Sequence, residues 1–241
     1  MSEKRQSFLS AVWSDVVILN YEADPNLLIH RVPKGTTLDS FGGKTYVSLV
    51  GFRFRKTKLF SSLAVPLHSD FDEVNLRFYV RRKAGDETRR GVVFIAEVVA
   101  RRAIAAVARL FYDENYQCFP MKHWLGVENS KRTYQYEWKI GDQWCKLAAE
   151  TSGNPEIPSE GSLEQFIAEH YWGYSAQKNG RSFEYHVSHP SWRVWSSTTA
   201  TFEGDATRVY GAALASLIQR RPDSAFVADG SAVTVFQRVE I

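Results

Sequence analysis

Apolar and polar residues alternate over much of the chain, and that alternation predicts a protein built chiefly from strands. Residues 13–21, 45–55, 74–82 and 90–98 place β-branched and aromatic side chains at a period of two. Lys83-Ala84-Gly85-Asp86-Glu87 separates the last two runs and predicts a hairpin turn. Further strands fall at 132–140 and 144–150 across Gly141-Asp142, at 171–177 and 182–188 across Asn179-Gly180, and at 194–203. The tail reads as a final hairpin, 225–228 with 232–239, turning at Asp229-Gly230.

Helical signals are fewer. Asp24-Pro25 sets an N-cap before a proline at the first helical position. From 100 to 112 the period changes: Ala, Ile, Val and Leu recur at helical spacing, with Arg101, Arg102 and Arg109 on the flanks. Ser162 with Gln165 makes a capping-box pattern, and residues 212–220 carry another short helix. About nine to eleven strands without strand–helix alternation predict a mainly β, antiparallel barrel-like or sandwich fold with a few short peripheral helices. The proline- and glycine-containing loop 152–161 is shorter than a typical linker, so residues 1–241 read as one domain.

Composition narrows the classes. A hydrophobic share of 44% with 24% charged residues excludes a disordered chain or a coiled coil. The net charge of +3 is too small to mark a nucleic-acid binder. The basic clusters Arg53-Phe54-Arg55-Lys56-Thr57-Lys58 and Arg81-Arg82-Lys83 read as solvated strand ends. Cys118 and Cys145 fit neither a metal spacing nor a disulfide framework and are expected as free thiols in a reducing compartment. Asp15 interrupts the first apolar run before it could serve as a signal sequence, and no stretch reaches the roughly 20 apolar residues of a membrane span. The expected placement is cytoplasmic, with neither membrane nor nucleic acid as partner.

Candidate chemistry is concentrated in three stretches. In 73–80 the alternation sets Glu73, Asn75, Arg77 and Tyr79 on one face and Val74, Leu76, Phe78 and Val80 on the other. Such a polar row either faces water or points into a barrel, where it would orient a ligand. The second stretch runs from Arg109 through Tyr116 to Lys122. A lysine among aromatic residues can become a nucleophile toward carbonyls if burial removes its proton; the plainer reading is an exposed loop lysine. In the third, His186 and His189 lie three apart, on opposite faces of a strand, and cannot share a metal. No Gly-x-Ser-x-Gly, Gly-x-Gly-x-x-Gly or Walker pattern occurs. Neither a metal nor a cofactor is expected, and a role for His189 stays open.

Taken in order, several of these motifs resemble the uncharacterised YqjF-like family of the acetoacetate decarboxylase-like superfamily. They begin with Trp13, Asn20-Tyr21, Asp24-Pro25, Val32-Pro33-Lys34-Gly35 and Phe41-Gly42-Gly43. They continue with Val47-Ser48-Leu49-Val50-Gly51-Phe52, the 73–81 run, Gly91-Val92-Val93-Phe94, Ala108-Arg109, Tyr116 and Met121. The later matches are Phe166-Ile167-Ala168-Glu169-His170-Tyr171, Tyr174, His189-Pro190-Ser191-Trp192 and Gly230-Ser231-Ala232-Val233. The resemblance implies a mainly antiparallel, barrel-like domain with a central pocket, and no known activity. It also sets Pro120-Met121-Lys122 on the relatives' Pro-Lys-Lys run, with Met121 at the nucleophile position and Lys122 at the helper position. Glu73 then corresponds to the relatives' pocket glutamate.

These readings converge on a pocket that binds a small, anionic carboxylate or carbonyl compound. Glu73, Asn75, Arg77, Tyr79, Arg109 and Tyr116 are its candidate ligand-binding residues. Glu73 and Lys122 are the catalytic candidates, should there be catalysis. A Schiff-base lyase acting on a β-keto acid through Lys122, and a non-catalytic interaction module, are the alternatives. An oligomer is compatible with all three.

Overall fold

The structure, a computed structural model, describes residues 6–60, 63–64, 69–100, 115–177 and 179–241. The expected helix at 100–112, with Arg109, lies outside the described residues. The strands, in chain order, are β1 (Ser7–Ala23), β2 (Thr37–Leu38), β3 (Thr45–Leu59), β4 (Leu63–Ala64), β5 (Phe71–Ala84), β6 (Glu87–Val99), β7 (Tyr116–Cys118), β8 (Met121–Glu128), β9 (Lys131–Ile140), β10 (Gln143–Ser152), β11 (Trp172–Ala176), β12 (Ser182–Ser188), β13 (Val194–Glu203), β14 (Ser224–Phe236) and β15 (Val239–Glu240). They join in the order β15-β12-β11-β6-β5-β3-β1-β14-β13-β10-β9-β8, with β2, β4 and β7 attached at the side. β12 also meets β14, through Val187 with Val235 and Ser188 with Thr234. The layer from β14 through β1, β3, β5, β6 and β11 to β12 is therefore barrel-like. All pairings are antiparallel except those of β6 with β7 and with β11. The fold is mainly β, as the alternation predicts.

Beyond β14 the sheet continues through β13, β10, β9 and β8 and covers one outer face of the barrel-like layer. Both faces of β1, β3 and β5 are consequently buried. Outside, Val17, Leu19, Leu49, Val74, Leu76 and Phe78 pack with Tyr136, Trp138 and Leu147. Inside, Val50, Phe52, Phe54 and Phe71 pack with Phe166, Ile167 and Trp192. Gly51 permits this double layer, because a Cβ there would sit 2.7 Å from Leu147 Cδ2 and 2.8 Å from the Tyr136 ring.

Bulges change which face a residue reports to. β1 carries an extra residue against β3 between Ser14 and Val17, where Asp15 has φ 57°. Trp13 before the bulge and Val16 after it consequently both face inward. β6 does the same at Ile95: Leu76 pairs with Ala96, but Arg77 pairs with Phe94. Phe94 and Glu97 thereby share the inner face although they are three residues apart.

Two expectations need correction. The expected hairpin at Asp229-Gly230 is one continuous strand, β14, paired with β1 on both sides of Gly230. Gly230 has φ 75° and lies against the Trp13 carbonyl, beside the β1 bulge, so the glycine serves a close backbone approach instead of a reversal. Lys122, read most plainly as a loop lysine, belongs to β8, a full strand of the second layer. The short helical segments match more closely. Asp24 Oδ1 accepts from Asn26 N at 2.9 Å and caps the 3-10 turn Pro25–Leu27. Ser162 Oγ accepts from Gln165 N at 3.1 Å to cap the helix Leu163–Ala168. The Gln165 side chain reaches back to Gly161 N, one residue beyond the Ser162 N–H that a full capping box would use. The last helix is Ala212–Ile218. Among the described residues no helix is long and apolar enough to cross a membrane, and Cys118 and Cys145 are free thiols.

Candidate functional site

The barrel-like layer encloses a cavity of about 150 Å³. Its walls are mostly aromatic and aliphatic: Trp13 from β1, Phe52 and Phe54 from β3, Phe94 from β6, Trp172 from β11 and Trp192 before β13. Onto these walls β5 projects Glu73, Asn75 and Arg77, and β6 and β7 add Glu97 and Tyr116. The polar row read from the alternation of β5 thus points inward, and Glu73 and Asn75 are each only 2% exposed. Their opposite-face neighbours Val74, Leu76, Phe78 and Val80 are fully buried in the outer core.

Asn75 Nδ2 donates to Glu73 Oε1 at 3.0 Å. Arg77 donates from Nη2 to the Ile167 carbonyl at 3.4 Å and lies over the Tyr79 ring, 5.8 Å from its centroid. Glu73, Glu97 and Tyr116 have further interactions beyond these. Several buried polar atoms on the cavity-lining side chains have no hydrogen-bond partner among the described residues; they include Trp13 Nε1, Thr57 Oγ1, Asn75 Oδ1, Arg77 Nε and both ring nitrogens of His170. Leaving a buried donor or acceptor unpaired costs about 1–3 kcal/mol. Several together on one small cavity mark a place where a polar guest is favoured.

Tyr79 faces the same interior but is not on the cavity wall. Its hydroxyl lies 2.5 Å from Ser48 Oγ, which donates to Asn20 Oδ1 at 2.6 Å, so Tyr79 is the donor in this chain. Its ring packs against Phe166 and, at 4.7 Å, His170. His170 also lines the cavity. Burial, reinforced by the Arg77 and Arg90 charges, pushes its pKa down to about 3 and keeps the imidazole neutral. His189 lines the cavity too, stacked on Trp192 at 4.4 Å, and burial lowers its pKa. Its Nδ1 donates to the Pro190 carbonyl at 2.8 Å, and a further hydrogen bond ties the ring to the His170 backbone. His186, by contrast, lies between Trp172 and Phe236 and does not line the cavity. No group of three metal-ligating side chains occurs among the described residues.

Lys122 is elsewhere. On β8 its Nζ sits 2.8 Å from Glu137 Oε2 and 4.6 Å from the Trp144 ring centroid, with the side chain 59% exposed. Among the described residues no lysine lines the cavity. Arg109 lies outside the described residues. The structure therefore brings Glu73, Asn75, Arg77 and Tyr116 together, sets Tyr79 just behind them and separates Lys122. Glu97 and His170 were not singled out from the sequence. A lone carboxylate inside the apolar run 91–100 is the available signal for Glu97, and membership of the 166–171 run that carries the family resemblance is the one for His170.

Comparison with known proteins agrees with this architecture. The chain is 23% identical over 206 residues to the uncharacterised protein YqjF of Bacillus subtilis (strain 168), covering 84% of this chain and 81% of that one. Its fold is similar to that of acetoacetate decarboxylase from Legionella pneumophila, with a TM-score of 0.69 at 15% identity over 97% of this chain and 87% of the other. An acetoacetate decarboxylase-like enzyme from Sphingomonas wittichii RW1 superimposes with a TM-score of 0.64 at 12% identity, over 97% of this chain and 94% of that one. The enduracididine biosynthesis enzyme MppR, in a complex with pyruvate, gives 0.68 at 10% identity, over 99% and 92%. These likenesses establish the acetoacetate decarboxylase-like fold. Residues 10–232 match the DUF2071 family, described as an uncharacterised conserved protein, and the chain belongs to that family.

Proposed function

We propose that the interior cavity binds a small organic carboxylate or carbonyl compound, with its oxygen toward Arg77 and its apolar part against the aromatic walls. The observation that supports this reading is the set of unpartnered polar atoms on an otherwise apolar cavity. Arg77 Nε and Trp13 Nε1 are both donors and suit an oxygen acceptor, whereas Asn75 Oδ1 suits a hydroxyl or a protonated acid. About 150 Å³ is comparable to an engineered cavity that holds benzene. The guest is therefore of metabolite size. That the similarly folded MppR was crystallised with pyruvate is in keeping with this class of guest.

A Schiff-base reaction through Lys122 has no such support, because the amine is on the outer layer and bound to Glu137. Calorimetric titration of the full chain with a panel of small carboxylic acids and their methyl esters tests the reading. Acids should bind, and Arg77→Met, which keeps an unbranched stem without the charged head, should weaken them at least tenfold by removing a charge-assisted hydrogen bond of roughly 1.5–3 kcal/mol. Equal affinity in Arg77→Met would refute an oxygen-orienting role for Arg77.

A further inference from the structure

The two ends of the strand order are unlike. At one end β15 is two residues long; at the other β8 runs for eight residues with no partner on its outer side among the described residues. An open edge presents unpaired N–H and C=O groups, and proteins usually blunt it with prolines, bulges or very short strands. β8 has none of these. It contains no proline, and it pairs with β9 in unbroken register from Met121–Trp138 to Glu128–Lys131. The turn Asn129-Ser130, with φ 46° and 66°, joins the two strands as a tight hairpin. Trp124 (55% exposed), Leu125 and Val127 (71%) are all on this strand, and Trp144 is exposed beside Lys122. They make up half of the eight large exposed hydrophobics among the described residues.

We propose that β8 pairs antiparallel with β8 of a second copy of this chain, around a two-fold axis at Leu125. Directly opposed residues in an antiparallel pair share a face, so even-numbered residues meet even and odd meet odd. With Leu125 on the axis, Lys122 of each copy faces Glu128 of the other, and Leu125 meets its own counterpart. Val127 then faces His123. Each Trp124 ring lies over Gly126 of its own strand, and the two indoles flank the axis. Slipping the register by two residues either way brings Trp124 or Gly126 opposite itself and loses both Lys–Glu pairs. The strand is therefore charge-complementary to itself in one register, as an isologous interface requires. Backbone pairing provides attraction, the exposed Leu125 and Val127 extend the outer core across the axis, and the charges fix the register.

Sedimentation velocity on the full chain over a range of concentrations is the test. The unmodified protein should be a dimer whose dissociation constant rises with salt. Glu128→Lys sets lysine against lysine twice and should weaken the dimer at least tenfold, while Lys122→Glu combined with Glu128→Lys should restore most of it. Hydrogen exchange at the β8 amides gives a readout that needs no variant: protection of residues 122–128 should increase with protein concentration. A monomer throughout, a dimer indifferent to Glu128→Lys, or β8 exchange independent of concentration would each overturn the proposal.

Discussion

Strands β5 and β8 carry the same kind of pattern and come to opposite ends. Each sets charged or polar groups on one face and mainly apolar groups on the other, and each holds a candidate reactive side chain. In β5 the polar face is buried as fully as the apolar one: Glu73 and Asn75 are 2% exposed, and they line a cavity. In β8 the face bearing Lys122, Trp124 and Glu128 is exposed. Position in the sheet makes the difference. β5 is hydrogen-bonded to β3 and β6, and layers cover both of its faces, whereas within one chain β8 has a neighbour on one side only among the described residues. Alternation states which residues share a face; it does not state which face is wet.

The sharpest way to test that contrast is to make one kind of cut in both strands. Leu76→Ala removes a fully buried side chain of β5 from the outer core and should cost about 2–5 kcal/mol in unfolding free energy. Val127→Ala in β8 shortens a side chain that is 71% exposed in the single chain and, at protein concentrations low enough to keep the chain monomeric, should stay within about 0.5 kcal/mol. Urea unfolding of both variants measures the pair. Comparable losses would mean that β8 is as enclosed as β5.

The dry side of β5 also makes a prediction about pH. His170, packed on Tyr79, has its native pKa pushed down to about 3, while an unfolded histidine titrates near 6.5. Between these values the unfolded chain holds the extra proton, so stability is complete above about pH 6.5 and is lost as pH falls toward 3. The slope from this one group approaches about 1.4 kcal/mol per pH unit, or roughly 2 kcal/mol between pH 6.5 and 5. His170→Phe keeps a ring against Phe166 and should flatten the profile by that amount. Parallel pH profiles for the two proteins would show that His170 is hydrated.

Much of this arrangement was legible in the chain, and the exceptions share a cause. The β5 row, the hairpin at Gly85, the Asp24 cap and the Ser162 cap follow from local chemistry that needs no distant partner. The bulges do not. Counting by twos through β6 puts Glu97 with Val93 and Ile95 on the outer face, but the extra residue at Ile95 turns it inward. Likewise Asp229-Gly230 has the composition of a hairpin turn, and only the neighbouring β1 backbone shows why a glycine stands there. His170 reaches the cavity from beyond the helix Leu163–Ala168, through contacts with Tyr79 and Phe166 that no spacing encodes. Lys122 is the reverse case: the plainer reading of an exposed lysine holds, and what the sequence did not give is the strand, β8, that carries it.

Lys122 therefore makes the smallest prediction, and a sharp one. An imine forms only when a neutral amine meets a carbonyl held beside it. Here the Nζ rests on the Glu137 carboxylate and above the Trp144 indole, 59% of the side chain faces water, and it does not line the cavity. A pair this exposed contributes at most about 1 kcal/mol, so at concentrations where the chain is monomeric Lys122→Ala should barely move the unfolding midpoint. The same variant should leave binding of small carboxylates in the cavity unchanged, in contrast to Arg77→Met. Incubation with acetoacetate or pyruvate and borohydride, followed by peptide mass mapping, should find no adduct on Lys122. An adduct there that disappears in Lys122→Ala would mean that β8 can close over a bound carbonyl, and the distinction between a working inner row and a solvated outer one would fail at its most exposed residue.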